Sequence, residues 1–314
     1  MHQRFLQHWR SLLPLAPQKI VVALSGGIDS VVLLHLLQQV KGLRLLAVHV
    51  NFQLRGEESE RDEAFCRQFC AEMGIALHAE RVDTSAYAAQ HRLSTQQAAR
   101  ELRYSIFERE RLNFQAPYIA TAHHAGDSIE TFFINFSKGC GLRGLHGIQA
   151  LKNALLRPLL PFTRSEIAQY AQENALQWVE DSSNASDKYT RNFLRLRILP
   201  LFGELQPRYE QIFSENIRRL AAAESLYDWA LTKLRADYFK NEVLDLQGLM
   251  QENPPIDLPA VLHEWLQDAG FTPAQCREMA QPRIESGKSW KSSTMRVVYK
   301  HTPAPHLRIE PLEI

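Results

Sequence analysis

Short apolar runs alternate with amphipathic stretches through the first half of the chain. The apolar runs have the length and β-branched content of buried strands, and the stretches between them carry apolar residues at helical spacing. The predicted strands are Ile20–Leu24, Arg44–Val50, Ala76–Val82 and Pro117–Ala122. The predicted helices are Asp29–Val40, Glu57–Met73, Thr95–Leu112 and Asp127–Phe136. This alternation predicts βαβ crossovers and an α/β fold whose parallel sheet carries helices on both faces.

The pattern is less regular beyond Gly147. It predicts a fifth strand and two short helices, at Ala154–Leu159, Arg164–Asn174 and Tyr189–Leu199. From about Pro207 to Gly270 the sequence is mostly helical, and the tail adds β-like stretches such as Met295–Tyr299. We therefore predict a first domain of residues 1–205 and a smaller, mainly helical accessory domain of residues 206–314.

Composition excludes several classes of protein. The 314 residues are 45% hydrophobic and 23% charged, as in ordinary globular proteins. A net charge of +1 excludes a surface that is basic throughout but not a local basic patch. No apolar run approaches the ~18 residues of a membrane span, and the stretch from Met1 to Pro14 predicts a short amphipathic helix, not a secretory signal. The four cysteines lack the spacing of a disulfide framework, which favours the cytoplasm.

The sequence SGGIDS, residues 25–30, lies between the first predicted strand and helix. Its glycines let the backbone turn close to an anion, and the helix N-terminus supplies free N–H donors. A carboxylate at Asp29 would repel phosphates unless a cation such as Mg²⁺ lay between them. The loop has no Walker A lysine. An unliganded strand-to-helix turn, capped by Asp29 or Ser30, is the alternative.

A second polar group follows the fourth predicted strand, in the sequence TAHHAGDSIET of residues 121–131. On a helix, Asp127 and Glu130 lie on one face. Two carboxylates at a nucleotide site can hold Mg²⁺, bind an ammonium group or take up a proton. Alternatively, they complement the helix dipole and His123 is a core or capping residue. A zinc site built from His123, His124 and Asp127 is disfavoured, because adjacent strand residues point to opposite faces.

The loop SGGIDS resembles the signature of the N-type ATP pyrophosphatases, the PP-loop family. Further stretches, over roughly residues 18–200, resemble in order the motifs of the tRNA(Ile)-lysidine synthetase branch. They are Ala98–Tyr104, His123–Thr131, Gly139–Leu145, Arg157–Leu160, Arg164–Ile167, Trp178–Asn184 and Asp187–Arg195. Two motifs depart from the family pattern: Gly126 replaces the first Asp of HHxDD, and residues 51–55 read NFQLR where the family has NHGLR.

The resemblance implies a Rossmann-like PP-loop ATPase domain and an ATP- and Mg²⁺-dependent ligase that forms a C–N bond. ATP would adenylate O2 of the wobble cytidine in a tRNA(Ile) with a CAU anticodon. The ε-amine of free L-lysine would then attack C2 to give lysidine, AMP and pyrophosphate, which changes codon reading from AUG to AUA. The resemblance implies a location in the cytoplasm. A second copy of the chain, forming a homodimer, is a further possible partner.

The same resemblance implies roles for particular residues. The implied catalytic residues are Asp29, Arg100 and Asp127. The implied nucleotide-binding residues are Ser25, Gly26, Gly27, Ile28, Asp29, Ser30 and His123. Asp29 would hold Mg²⁺, Asp127 would orient the lysine ε-amine or receive its proton, and Glu130 would bind the α-ammonium group. For Arg100, a solvated helix position is the alternative.

An arginine cluster is predicted to contact tRNA, because clustered cations fit a phosphate backbone. It consists of Arg191, Arg195 and Arg197, and further arginines follow at Arg208, Arg218 and Arg219. The alternative is a solvated face, or pairs with Glu204, Glu210 and Glu215.

Three other functions compete with the lysidine-forming one. A tRNA 2-thiolating enzyme of the same superfamily depends on C-x-x-C pairs, and the sequence has none. A small-molecule amidotransferase would need a glutaminase module, which is not visible. A catalytically inactive tRNA-binding homologue is supported by Gly126 and the altered NFQLR segment.

Overall fold

The computed structural model describes residues 1–13, 15, 17–180, 190–252 and 255–312. It divides into two compact units, Met1–Ala221 and Ala222–Ile314. The division falls within one long helix, α10 (Tyr209–Tyr238). The predicted domain boundary at residue 205 stays a prediction.

The first unit alternates strands and helices as predicted. Its elements are α1 (His2–Leu12), β1 (Lys19–Ala23), α2 (Ile28–Gln38), β2 (Arg44–Asn51), α3 (Glu57–Glu72), β3 (Ala76–Arg81), α4 (Thr84–His91), α5 (Thr95–Asn113), β4 (Tyr118–Ala120), α6 (Ala125–Lys138), β5 (Leu151–Lys152), β6 (Leu155–Leu156), α7 (Arg164–Glu173), α8 (Thr190–Phe193) and α9 (Leu199–Leu205). A π-helical segment, Leu194–Ile198, joins α8 to α9. The pattern did not predict helix α4.

The sheet of the first unit has the strand order β3-β2-β1-β4-β6-β5. All neighbouring strands are parallel except β5 and β6, which form an antiparallel hairpin at one edge. The predicted parallel sheet is confirmed, although the fifth strand predicted at Ala154–Leu159 is only the two residues of β6. The carboxyl ends of β1, β2, β4 and β6 meet at one edge, where ligands bind in sheets of this kind.

The core of this unit explains why its apolar runs are so dense. Ile20, Val21 and Val22 of β1 are fully buried, because helices cover both faces of the central strand. Helix α2 is apolar on nearly every side and packs on both β2 and α7. The sheet and α2 therefore form a rigid support for the loop that connects β1 to α2.

The second unit combines short helices with a small sheet. After α10 come β7 (Phe239–Lys240), β8 (Val243–Asp245), α11 (Leu246–Met250), α12 (Leu258–Leu266), α13 (Pro273–Met279), β9 (Ser289–Lys291), β10 (Met295–Lys300) and β11 (His306–Pro311). The strands form an antiparallel sheet in the order β7-β8-β11-β10-β9. The β-like stretch predicted at Met295–Tyr299 is β10, whereas the shortest strands are too brief to show alternation in sequence. Within the described ranges, every helix is too short or too polar to cross a lipid bilayer.

Candidate active site

The loop between β1 and α2 is held in shape by its own hydroxyl groups. Ser30 Oγ donates to the carbonyl oxygen of Gly27 at 2.8 Å and lies 3.1 Å from Ser25 Oγ. Ser25 Oγ accepts from the amide of Gly27 at 3.3 Å. These bonds fix the turn from which α2 begins, and the free amides at a helix N-terminus can bind an anion.

Gly26 is required by crowding as well as by backbone conformation. Its φ is +89°, and a Cβ atom here would lie 2.8 Å from Val179 Cγ2 and 3.3 Å from Cys66 Sγ. The amide of Val179 donates to the carbonyl oxygen of Gly26 at 3.0 Å. The stretch Trp178–Glu180 therefore braces the loop. The rest of that motif and the start of the next, residues 181–189, lie outside the described residues.

A cavity of about 210 Å³ opens beside the loop, at the carboxyl edge of the sheet. It is lined by Ser25, Gly27, Asp29, Ser30, Ala122, His123 and Asp127. The structure thus brings together the two motifs that the sequence places about 100 residues apart. Of the other implied nucleotide-binding residues, Ile28 is buried at the start of α2 and Gly26 lies in the adjoining turn.

Asp29 presents one carboxylate oxygen that lacks a hydrogen-bond partner among the described residues. Its Oδ2 pairs with Arg164 Nη1 at 2.5 Å, while its buried Oδ1 has no partner there. Burial raises the pKa of Asp29, against the opposing effects of His124 and Arg164. A buried, unpartnered carboxylate oxygen beside a phosphate loop is the kind of ligand that Mg²⁺ takes. The donor set therefore fits the predicted metal.

His124, not His123, caps helix α6. Its Nδ1 accepts from the amide of Gly126 at 3.0 Å, and its own amide donates to Asp127 Oδ2 at 2.9 Å. A Cβ atom at position 126 would lie only 2.8 Å from His124 Cε1. The departure from the family pattern at Gly126 therefore leaves room for the capping imidazole ring.

His123 is neutral at physiological pH. Burial lowers its pKa to about 4, outweighing the opposing effect of Asp127. Its Nδ1 lies 2.9 Å from Thr121 Oγ1. The ring can therefore exchange hydrogen bonds with a nucleotide in the cavity but adds no fixed positive charge.

Asp127 is ionised at the same pH. Burial alone would raise its pKa, but the nearby His124 side chain and the backbone N–H that His124 donates bring the pKa below the ordinary value. Arg195 Nη2 lies 3.8 Å from Asp127 Oδ1. The cavity thus contains a partly buried anion that a cationic substrate group can neutralise.

Glu130 is almost fully buried and is held by two arginines. Arg195 donates to both its oxygens, at 2.7 and 3.1 Å, and Arg191 Nε lies 3.3 Å from Oε2. Burial still leaves the pKa of Glu130 above its ordinary value. Arg191 and Arg195, predicted to contact tRNA, thus lie beside the candidate lysine site, and an incoming ammonium group would have to share Glu130 with them.

The remaining predicted cations lie elsewhere. Arg100 is exposed on α5, its guanidinium carbon 4.9 Å from the centre of the Tyr104 ring, and it does not line the cavity. Its catalytic role stays a prediction. Arg197 lies in the π-helical segment beside Arg195. Arg218 and Arg219 both pair with Glu215 on α10, one of the alternatives considered for these arginines.

Residue-by-residue reasoning missed two contributors to the site. Arg164, at the start of α7, pairs with Asp29, and Val179 braces the loop. Both fall in stretches that resemble the family's motifs, so a signal existed but did not indicate which partner each residue contacts.

The four cysteines do not form a cluster at this cavity. Cys66 and Cys70 are buried on α3, where burial raises the pKa of both thiols, and Cys276 is buried in the second unit. Cys140 is exposed after α6. The arrangement lends no support to sulfur transfer through paired cysteines.

The strand–loop–helix unit and its cavity define a PP-loop protein. The family model for the PP-loop domain matches residues 1–202 of the chain. The tRNA(Ile)-lysidine synthase of Bacteroides thetaiotaomicron is 39% identical over 94% of this chain and 68% of its own length. That of Parabacteroides distasonis is 40% identical over 89% of this chain and 63% of its own length. The chain belongs to the tRNA(Ile)-lysidine synthase family, as the motifs indicated, and spans about two thirds of the length of these relatives.

A solved structure shows the same fold at low sequence identity. The U34-tRNA thiolase NcsA from Methanococcus maripaludis, with its 4Fe–4S cluster, superposes with a TM-score of 0.54 and 19% identity. The match covers 69% of this chain and 78% of the thiolase. It supports the PP-loop fold alone.

Proposed function

We propose that this protein uses ATP to attach lysine to the wobble cytidine of a tRNA(Ile) with a CAU anticodon. The observation that carries the proposal is a single cavity lined by the phosphate loop, Asp29 and Asp127, with the buried carboxylate of Glu130 beside it. Such a cavity can hold an ATP pyrophosphate group next to a cationic amino acid. The names of the relatives supply the tRNA substrate.

The phosphate side of the cavity serves adenylation of the cytidine O2. The amides at the N-terminus of α2, with the hydroxyl groups of Ser25 and Ser30, would hold the departing pyrophosphate, because N–H groups and the dipole at a helix N-terminus stabilise an anion. Asp29 would hold Mg²⁺ through its unpartnered oxygen. When bound, the ion supplies positive charge against the phosphates. Arg164 keeps the Asp29 side chain in position.

The carboxylate side of the cavity serves attack by lysine. The ε-ammonium group must lose a proton before its nitrogen can attack C2 of the activated cytidine. Asp127, ionised and lining the cavity, would orient this group and receive the proton. Glu130 would bind the α-ammonium group in a position that Arg195 occupies in part.

We also propose that Arg191, Arg195 and Arg197 guide the RNA to this cavity, since Arg191 and Arg195 link the candidate lysine site to the partly exposed helices after it.

The cytoplasm, where ATP and tRNA are available, is the proposed location. A homodimer stays a prediction.

The test combines the purified protein with ATP, Mg²⁺, labelled lysine and a tRNA(Ile) transcript with a CAU anticodon. We expect one lysine incorporated and one pyrophosphate released per tRNA. The same transcript with uridine at the wobble position is the matched control and should accept none. Absence of incorporation with tRNA binding intact would overturn the proposal in favour of an inactive tRNA-binding homologue.

A further inference from the structure

A buried arginine follows strand β6 directly and has no acidic partner among the described residues. Arg157 is 8% exposed, and its Nη1 donates to the carbonyl oxygen of Gln149 at 2.7 Å. Its Nε is buried and has no hydrogen-bond partner among the residues that the structure describes. A buried cation without a counter-charge is costly, so an anionic ligand that pairs with it would relieve that cost.

Two more arginines, Arg100 and Arg103, lie on helix α5. Arg100, Arg103 and Tyr104 share one face of the helix, at i, i+3 and i+4 spacing. The guanidinium carbon of Arg103 lies 5.1 Å from the centre of the Phe52 ring, at the carboxyl end of β2. Burial lowers the pKa of Arg157, and Arg100 and Tyr104 are near enough to act on it electrostatically as well. No carboxylate of the described ranges forms an ion pair with Arg100, Arg103 or Arg157.

We call Arg100, Arg103 and Arg157 the α5–β6 arginine cluster, and its buried member, Arg157, lies near the cavity. Arg157 follows β6, the neighbour of β4, and acts electrostatically on His123, which lines the cavity. Two other cations near the cavity are neutralised by carboxylates: Arg164 pairs with Asp29, and Arg195 pairs with Glu130. Within the described ranges, the cluster is therefore positive charge at the carboxyl edge that the protein itself leaves unneutralised.

We propose that Arg100, Arg103 and Arg157 form a second phosphate site, which holds a phosphodiester group of the RNA substrate while the phosphate loop holds ATP. This inference rests on the proposed function, because it takes RNA as the substrate. Guanidinium groups bind phosphate oxygens in a bidentate manner. Arg100 and Arg103 are exposed, so a macromolecule can reach them, while the buried Arg157 forms the floor of the site.

The experiment measures tRNA binding by filter retention across a range of salt concentrations, for the full chain and its variants. We expect R103Q, and the double variant R100Q with R103Q, to weaken binding about 5- to 10-fold for each arginine replaced. The slope of log K against log salt should fall by about 0.7–0.9 for each phosphate group that is no longer neutralised. R157K keeps the charge but not the fork of donors and should weaken binding as well.

Matched controls distinguish this site from general charge effects and from the ATP site. R44Q removes one exposed arginine at the amino end of β2, opposite the cluster, and should leave the slope unchanged. Affinity for a non-hydrolysable ATP analogue, measured calorimetrically with Mg²⁺, should stay within about twofold of wild type in R103Q. Circular dichroism confirms that each variant is folded. Arg103 is exposed, so the R103Q result stands even if R157K unfolds.

Two outcomes would overturn the inference. An unchanged salt slope in the R100Q/R103Q double variant excludes an RNA phosphate at the cluster. Loss of ATP-analogue affinity with an unchanged slope assigns the cluster to the nucleotide instead. In both cases the proposed function would still stand if the wild-type protein incorporates lysine. A wild-type protein that neither binds tRNA nor incorporates lysine would contradict both the proposed function and this inference.

Discussion

Arg195 donates to both carboxylate oxygens of Glu130, at 2.7 and 3.1 Å, across 65 positions of the sequence. Glu130 is 2% exposed, whereas the Arg195 side chain is 37% exposed. The pair therefore joins a buried acid on α6 to a cation that reaches the solvent. Burial raises the pKa of Glu130, and the hydrogen bonds and charge of Arg195 oppose this by stabilising the carboxylate form.

Removal of Arg195 should therefore destabilise the protein through Glu130. We expect R195Q to lower the free energy of unfolding by about 1–3 kcal/mol, less than for a fully buried pair because Arg195 is partly exposed. E130Q combined with R195Q should cost less than the sum of the single changes. Urea unfolding of the four proteins measures this coupling.

R218Q is the matched control for that experiment. Arg218 also donates to a glutamate through two nitrogens, but its partner Glu215 lies on an exposed surface. We expect no measurable loss of stability, because solvent screens the pair. If R195Q behaves like R218Q, Arg195 does not keep Glu130 ionised.

Replacing Asp127 by Asn tests the role of its charge separately from its role in the cap of helix α6. In D127N the amide oxygen can still accept from the backbone N–H of His124, so the helix cap survives and the free energy of unfolding should change by less than about 1 kcal/mol. Lysine incorporation should fall at least about 100-fold, because the base and its charge are lost. Turnover is measured with labelled lysine at saturating ATP.

The matched control is D83N. Asp83 caps α4 by accepting from the amide of Ala86 at 2.9 Å and lies outside the cavity. We expect wild-type incorporation from it. Near-normal turnover in D127N itself would remove Asp127 from the proposed chemistry.

His123 should make stability depend on pH. Its folded pKa is about 4, below the unfolded value near 6.5, so protons bind preferentially to the unfolded chain between these values. Stability contributed by the neutral ring is complete above pH 6.5 and is lost as the pH falls towards 4, by up to about 3 kcal/mol. Urea unfolding at several pH values measures the loss.

Comparison with H123Q isolates this effect, since other buried histidines, such as His49, titrate in both proteins. The wild-type curve should fall more steeply below pH 6.5 than that of H123Q. Parallel curves would mean that His123 is not held neutral by burial.

The sequence allowed the central sheet to be predicted because its strands are long, apolar and separated by clear helices. Strand β1, predicted at Ile20–Leu24, occupies Lys19–Ala23. The strands β7 and β9 were not predictable, because two or three residues cannot show a period of two. Their pairing depends on contacts far apart in the chain.

The site divides in the same way. The phosphate loop and the Asp127 motif were recognisable because each is local in sequence and follows a strand. The ion pairs Arg164–Asp29 and Arg195–Glu130 join distant segments, and no local pattern specifies them. The cap by His124 depends on space left at Gly126, which only the folded backbone reveals.

Gly26 should be the least replaceable glycine of the loop. In G26A the new methyl group would lie 2.8 Å from Val179 Cγ2, on a backbone whose φ is +89°. We therefore expect the free energy of unfolding to fall by about 2–4 kcal/mol and ATP binding to be lost. G42A separates the two causes, since Gly42 has a φ of +78° but nothing within 4 Å, and should cost about 1–2 kcal/mol. G27A, at ordinary φ with its nearest neighbour at 3.5 Å, should cost less than about 1 kcal/mol. Should G26A cost no more than G42A, backbone conformation alone requires the glycine, and the packing of Val179 against the loop does not.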